Sequence, residues 1–113
     1  GAIGLSEEQA AAAGRRVKMG RFPYLASGAA HALGATEGFV KIVGDSDSGE
    51  ILGVHIIGAH ATDLISEAAT AMSLEAFVED LSEAIKPHPT LSENLMEAAK
   101  DWSALAVHAP KKR

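Results

Sequence analysis

Phe39-Val40-Lys41-Ile42-Val43 and Ile51-Leu52-Gly53-Val54-His55-Ile56-Ile57 are two β-branched runs on either side of Asp45-Ser46-Asp47-Ser48-Gly49. Valine and isoleucine pack well on a pleated strand, and the Asp/Ser/Gly cluster between them is turn chemistry, so residues 37 to 58 predict an antiparallel hairpin. In the second run His55 alone is polar. A strand of that kind has no face to offer water, which predicts a central place in a sheet, with elements covering it above and below.

Upstream, Ser6-Glu7-Glu8-Gln9 has the S-x-x-Q form of a capping box and opens a short helix that Gly14 ends. From Arg15 to Phe22, Val17, Met19 and Phe22 interleave with basic residues as in a half-exposed strand, and Pro23 stops it. Tyr24 to Gly34 is Ala-rich and reads equally as a short helix or a packed loop. Downstream of Gly58 the period becomes helical. Leu64, Ala68 and Ala71 or Met72 predict a long helix, and Phe77, Leu81 and Ile85 a second short one before Pro87. Leu91, Leu95, Ala98 or Ala99, Trp102 and Ala106 mark a last helix. Strands with helices at both ends predict an α+β fold, an antiparallel sheet with helices packed on it, in one domain spanning residues 1–113. Ala68, Ala69, Ala71, Ala98 and Ala99 would let another helix approach closely, in a subunit contact or in the chain's own core.

The composition excludes several classes. With 113 residues and 47% hydrophobic content the chain can bury one core. No run approaches the roughly 20 apolar residues of a membrane helix, and no basic stretch followed by a hydrophobic one opens the chain, so neither a membrane nor a targeting role is expected. Cysteine is absent, so any redox sulfur must come from elsewhere. The net charge is -5, and residues 61 to 101 carry nine acids against Lys86 and Lys100. That balance repels phosphate backbones, and no nucleic-acid partner is expected.

Chemistry concentrates in Lys86-Pro87-His88-Pro89-Thr90-Leu91-Ser92-Glu93-Asn94-Leu95-Met96-Glu97. Two prolines restrict the backbone on both sides of His88, which aims its imidazole. Glu93, folded back over the first turn of a helix starting at Thr90, can hold that ring in one tautomer and leave His88 to act as a general base. Thr90-Leu91-Ser92-Glu93 also has the T-x-x-E form of a capping box, in which Glu93 serves only the backbone, and His88 reads as well as a turn histidine.

The string His88-Pro89-Thr90-Leu91-Ser92-Glu93 resembles the His-Pro-Thr-x-x-Glu signature of the pyridine nucleotide-disulfide oxidoreductases, in the Leu-Ser form of the dihydrolipoamide dehydrogenases. Gly4-Leu5-Ser6-Glu7-Glu8-Gln9-Ala10, Thr36, Glu37-Gly38-Phe39-Val40-Lys41 and the run from Gly49 to Gly58 resemble the C-terminal dimerisation (interface) domain of that family in the same order. The resemblance implies the fold of the FAD/NAD-linked reductase dimerisation domains and a homodimer. It implies that His88, oriented by Glu93, deprotonates dihydrolipoamide of 2-oxoacid dehydrogenase complexes at the disulfide and FAD of the partner subunit, the parent enzyme reducing NAD. It also implies a cis His88-Pro89 peptide, with the backbone of His88 and Pro89 facing the partner's FAD. The parent would be cytoplasmic in bacteria, the favoured case, or in the mitochondrial matrix of eukaryotes. The chain departs from the whole family in lacking the Cys-x-x-x-x-Cys pair and any G-x-G, so it should bind neither FAD nor NAD alone and should not turn over by itself. The family's opening strand has more residues before the position of Ile3. Ser27-Gly28-Ala29-Ala30-His31 departs from the polar stretch of the family.

Other constellations compete. His55, His60 and Asp63 are metal-ligating types, but a strand residue and two beyond its end need a bend to converge, and no metal site is expected. Ser92 near His88 has no nucleophile elbow. A purely structural dimerisation module of a related glutathione-type disulfide reductase is the alternative that keeps the fold and removes the base.

Overall fold

The computed structural model describes residues 1–84, 86 and 88–104. Strands β1 (Ala2–Gly4), β2 (Val17–Pro23), β3 (Gly38–Asp45) and β4 (Ile51–Gly58) form one antiparallel sheet in the order β1-β4-β3-β2. The expected hairpin is the middle of that sheet, and the strand that Pro23 ends lies on its edge, where a missing N–H costs no ladder bond. The Asp45 carboxylate shapes the hairpin turn by accepting the N–H groups of Asp47 (2.8 Å) and Ser48 (3.0 Å), and it also accepts Arg15 Nε at 2.9 Å.

Side-chain alternation sets the layers. Val40 pairs with Ile56 and Ile42 with Val54, and all four are fully buried on one face. Helices α3 (Ala61–Ser73), α4 (Val78–Glu83) and α5 (Glu93–Ala104) cover that face, contributing Ala68, Val78, Leu81, Leu95, Ala98, Ala99 and Trp102 to a common core. Three of the five alanines considered for a subunit contact, Ala68, Ala98 and Ala99, are buried in the chain's own core and say nothing of a partner.

The opposite face departs from expectation. Helix α1 (Glu7–Ala12), capped reciprocally by Ser6 and Gln9, covers only one end of it, through a small cluster of Ala10, Val43 and Leu52. A bulge puts Leu52 there: Gly44 pairs with Ile51 and Val43 with Gly53, so Leu52 is the extra residue and turns to the side of Val43. Six helical residues span roughly 9 Å and eight strand residues roughly 26 Å, so α1 is too short to cover β4 on that side. His55 is half-buried there, and Ile57 stays 59% exposed.

Tyr24 to Gly34 resolves into a 3-10 turn (Tyr24–Ala26) and helix α2 (Gly28–Leu33). The Ser27 hydroxyl accepts the Ala30 N–H at 3.1 Å, and Gly34 ends α2 in the left-handed region that glycine tolerates. Phe77, expected on the apolar face of the short helix, is 49% exposed, and Val78 takes the core position. The reason is the helix start. Phe77 donates its N–H to Asp80 Oδ2 at 2.7 Å and pairs with Glu50, so it stands before the helix as its cap, while Leu81 faces the core as expected. Ile85, Pro87 and Ala106 lie outside the described residues.

Helix α5 is clamped to β2. Trp102 Nε1 donates to the Lys18 carbonyl at 2.6 Å, the Lys18 ammonium lies 4.2 Å from the indole centroid, and the Arg21 N–H donates to Asp101 at 2.9 Å. Gly20 permits the approach, since a Cβ there would lie 2.6 Å from the Trp102 backbone nitrogen. Gly20→Ala is expected to lower stability by about 1–3 kcal/mol through overpacking, read from urea unfolding midpoints. An unchanged midpoint would show that α5 moves aside without cost.

Candidate functional site

The start of α5 builds the site. The helix begins at Glu93 rather than at Thr90, because the chain enters it through tighter turns: the N–H groups of Glu93, Asn94 and Leu95 bond to the carbonyls of Thr90, Leu91 and Ser92 at 3.3, 2.9 and 3.3 Å. Leu91 and Leu95 are buried and anchor this entry against the core. The His88-Pro89 peptide is cis, as the resemblance implies.

Glu93 makes both of the interactions weighed for it. Its Oε1 accepts the Thr90 N–H at 2.9 Å, and each of its oxygens lies 3.0 Å from His88 Nδ1. The Thr90 N–H first, and then the His88 ring, hold the Glu93 carboxyl below the usual carboxylate range. An ionised carboxylate only accepts hydrogen bonds, so Nδ1 carries the proton in the neutral ring and the lone pair is on Nε2. The His88 side chain is 78% exposed and that of Glu93 21%, which puts the ring at the surface and its partner behind it. This arrangement can take a proton at Nε2 from a group brought to the surface.

Beside the pair is a cleft of about 300 Å³ lined by His88, Glu93, Asn94, Glu97, Phe22 and residues Ala26 to Gly28. Asn94 is 1% exposed, and its Nδ2 has no hydrogen-bond partner among the described residues. Sequence reasoning passed over Asn94 and Glu97, whose only signal was a polar residue in the first turn after Glu93 and another one turn on. Ser27 and Gly28, given no function from sequence, form the opposite wall. Ser92 and Pro89 line a separate hollow of about 430 Å³ with Ala29, Leu33 and Leu64.

His55 and His60 each meet a different partner. His55 Nε2 lies 3.1 Å from the Leu5 carbonyl oxygen, whereas His60 Nδ1 lies 3.6 Å from Asp63. Among the described residues no three metal-ligating side chains come together, and no helix is long and apolar enough to cross a membrane.

Residues 1–99 match the family model described as pyridine nucleotide-disulphide oxidoreductase, dimerisation domain. The chain belongs to that family. Two dihydrolipoyl dehydrogenases, from Thermus scotoductus and Bacillus subtilis, are each 50% identical to it over 106 residues, 94% of this chain and 23% and 22% of their own length. The chain therefore spans less than a quarter of the relatives it matches. LpdA of Mycobacterium tuberculosis superposes with a TM-score of 0.80 at 25% identity, over 88% of this chain and 22% of LpdA. The HOCl-induced flavoprotein disulfide reductase RclA of Escherichia coli superposes with a TM-score of 0.83 at 24% identity, over 88% of this chain and 23% of its own, a likeness of fold.

Membership in a family of pyridine nucleotide-disulphide oxidoreductases raises the question of a dinucleotide. A helix N-terminus favours the phosphates of such a group, and acidic residues in its first turn oppose them. Here α1, α3, α4 and α5 carry Glu7 and Glu8, Asp63, Glu79 and Asp80, and Glu93 in their first turns, and α2 has only six residues.

Because the Glu93 pKa is lowered by folding, its stabilising contribution is present above the unfolded-state value and is lost as pH falls through the folded-state one. Glu93→Gln should therefore be less stable than the parent sequence at neutral pH, and the difference should shrink in acid. Urea unfolding across a pH series measures it; a difference that stays constant into strong acid would contradict the assignment.

Proposed function

We propose that residues 1–113 are one interface domain of a longer, homodimeric dihydrolipoyl dehydrogenase, and that His88 with Glu93 supplies the base that deprotonates dihydrolipoamide at the partner subunit's disulfide. The supporting observation is a surface imidazole whose Nδ1 is engaged by a carboxylate, leaving Nε2 open. The identity to dihydrolipoyl dehydrogenases over nearly the whole chain supports the substrate class.

The chemistry follows from sulfur. A dithiol attacks as its thiolate, so a base must remove the proton first. His88 Nε2 takes it, and the Glu93 carboxylate behind the ring stabilises the imidazolium that forms. The thiolate attacks one sulfur of the enzyme disulfide, forming a mixed disulfide and releasing the other sulfur as a thiolate. The second substrate thiol, on losing its proton, closes the substrate disulfide and leaves the enzyme as a dithiol; two electrons have passed from substrate to enzyme. This chain has no cysteine, so both enzyme sulfurs belong to other parts of the parent.

The flavin of the parent would accept those electrons and pass them to NAD. On this reading the backbone of His88 and Pro89 faces the partner's flavin, and the enzyme serves 2-oxoacid dehydrogenase complexes in the cytoplasm.

In the full-length enzyme, His88→Gln is expected to slow dihydrolipoamide oxidation by roughly 100-fold or more while flavin content and dimer mass stay unchanged. Near-normal turnover would remove the base and leave a purely associative domain.

A further inference from the structure

We propose that Lys86 is a positioning residue for His88, acting through its ion pair with Glu67. The proposal rests on the base assignment for His88 and concerns what holds that ring in place.

Within its own chain an imidazole that is 78% exposed is not fixed by packing. It stands in the connection between α4, which ends at Glu83, and α5, which begins at Glu93. Within the chain it is held by ties to the elements on either side. On the C-terminal side Glu93 provides two, to the Thr90 N–H and to the ring itself.

Two residues before His88, Lys86 provides a third. Its ammonium donates to the carboxylate of Glu67 on α3. The Lys86 side chain is only 11% exposed and that of Glu67 31%, whereas lysine normally keeps its charge in water. The pair ties the connection to a rigid element, because Glu67 lies on a thirteen-residue helix packed on the sheet. His88 is thus held between α3 and α5. Releasing the α3 side leaves the ring partnered by Glu93 but lets its backbone drift, and displacement of a base by about 1 Å is enough to slow proton transfer by up to about 100-fold.

The test uses the full-length flavoprotein with dihydrolipoamide as substrate. Lys86→Met is expected to lower kcat about 10- to 100-fold with little change in KM, as for a group felt only in the transition state, and with flavin content and dimer mass unchanged. Lys86→Arg, which keeps the charge, should retain most of the turnover. Glu67→Gln should match Lys86→Met, and the double variant should lose no more than either alone, because both changes remove one interaction. If Lys86→Met does not fold, Glu67→Gln carries the same comparison. A kcat within twofold of the parent for the soluble variants, or additive losses in the double variant, overturns the proposal. Near-normal turnover of His88→Gln would instead overturn the base assignment beneath it, so the two failures are distinct.

Discussion

One carboxylate organises this site. Glu93, the first residue of α5, accepts the Thr90 N–H in the turns that lead into the helix and both of its oxygens face His88 Nδ1, so the group that starts the helix also fixes the ring. Helix start and ring orientation cannot be separated, because a shift of the first turn would carry the carboxylate away from the imidazole. Ionisation of Glu93 is favoured by the same backbone N–H, which keeps the carboxylate an acceptor and the outward nitrogen of the ring free.

That coupling is useful only if α5 itself is fixed, and the sheet does this. Trp102 is nearly buried with its indole N–H on the Lys18 carbonyl, and Gly20 lets the helix backbone come against β2. The buried Val40, Ile42, Val54 and Ile56 form the floor on which α3, α4 and α5 rest together, so the two helices tied to the connection around His88 share one core. Rigid elements thus stand behind a histidine that its own chain leaves largely exposed.

The hairpin, the Ser6 capping box and the last helix were legible because each is a local pattern: alternation, a spaced pair of side chains, or a three-to-four repeat. The cover over β4 was not, since an apolar strand looks the same whether its second face meets a helix or lies open, and the Leu52 bulge has no signature in Ile51-Leu52-Gly53. Phe77 was misplaced because a helix start moved by one residue, which hydrophobic spacing cannot register. At the site, proline flanks and T-x-x-E spacing pointed to His88 and Glu93, though not to one carboxylate doing both tasks. Lys86 meeting Glu67 and Asn94 facing the cleft depend on how α3 and α5 pack, which local spacing does not contain.

The central claim is that His88 serves sulfur held by a second subunit, and subunit hybrids test it most directly. A full-length dimer would pair one subunit carrying His88→Gln with another whose disulfide cysteines are replaced by serine. If His88 acts across the interface, both defects fall on one site and the other stays whole, so the hybrid turns over dihydrolipoamide at about half the rate of the parent dimer. If His88 serves its own subunit, each site has one defect and the hybrid is as inactive as either parent variant, which would contradict the account.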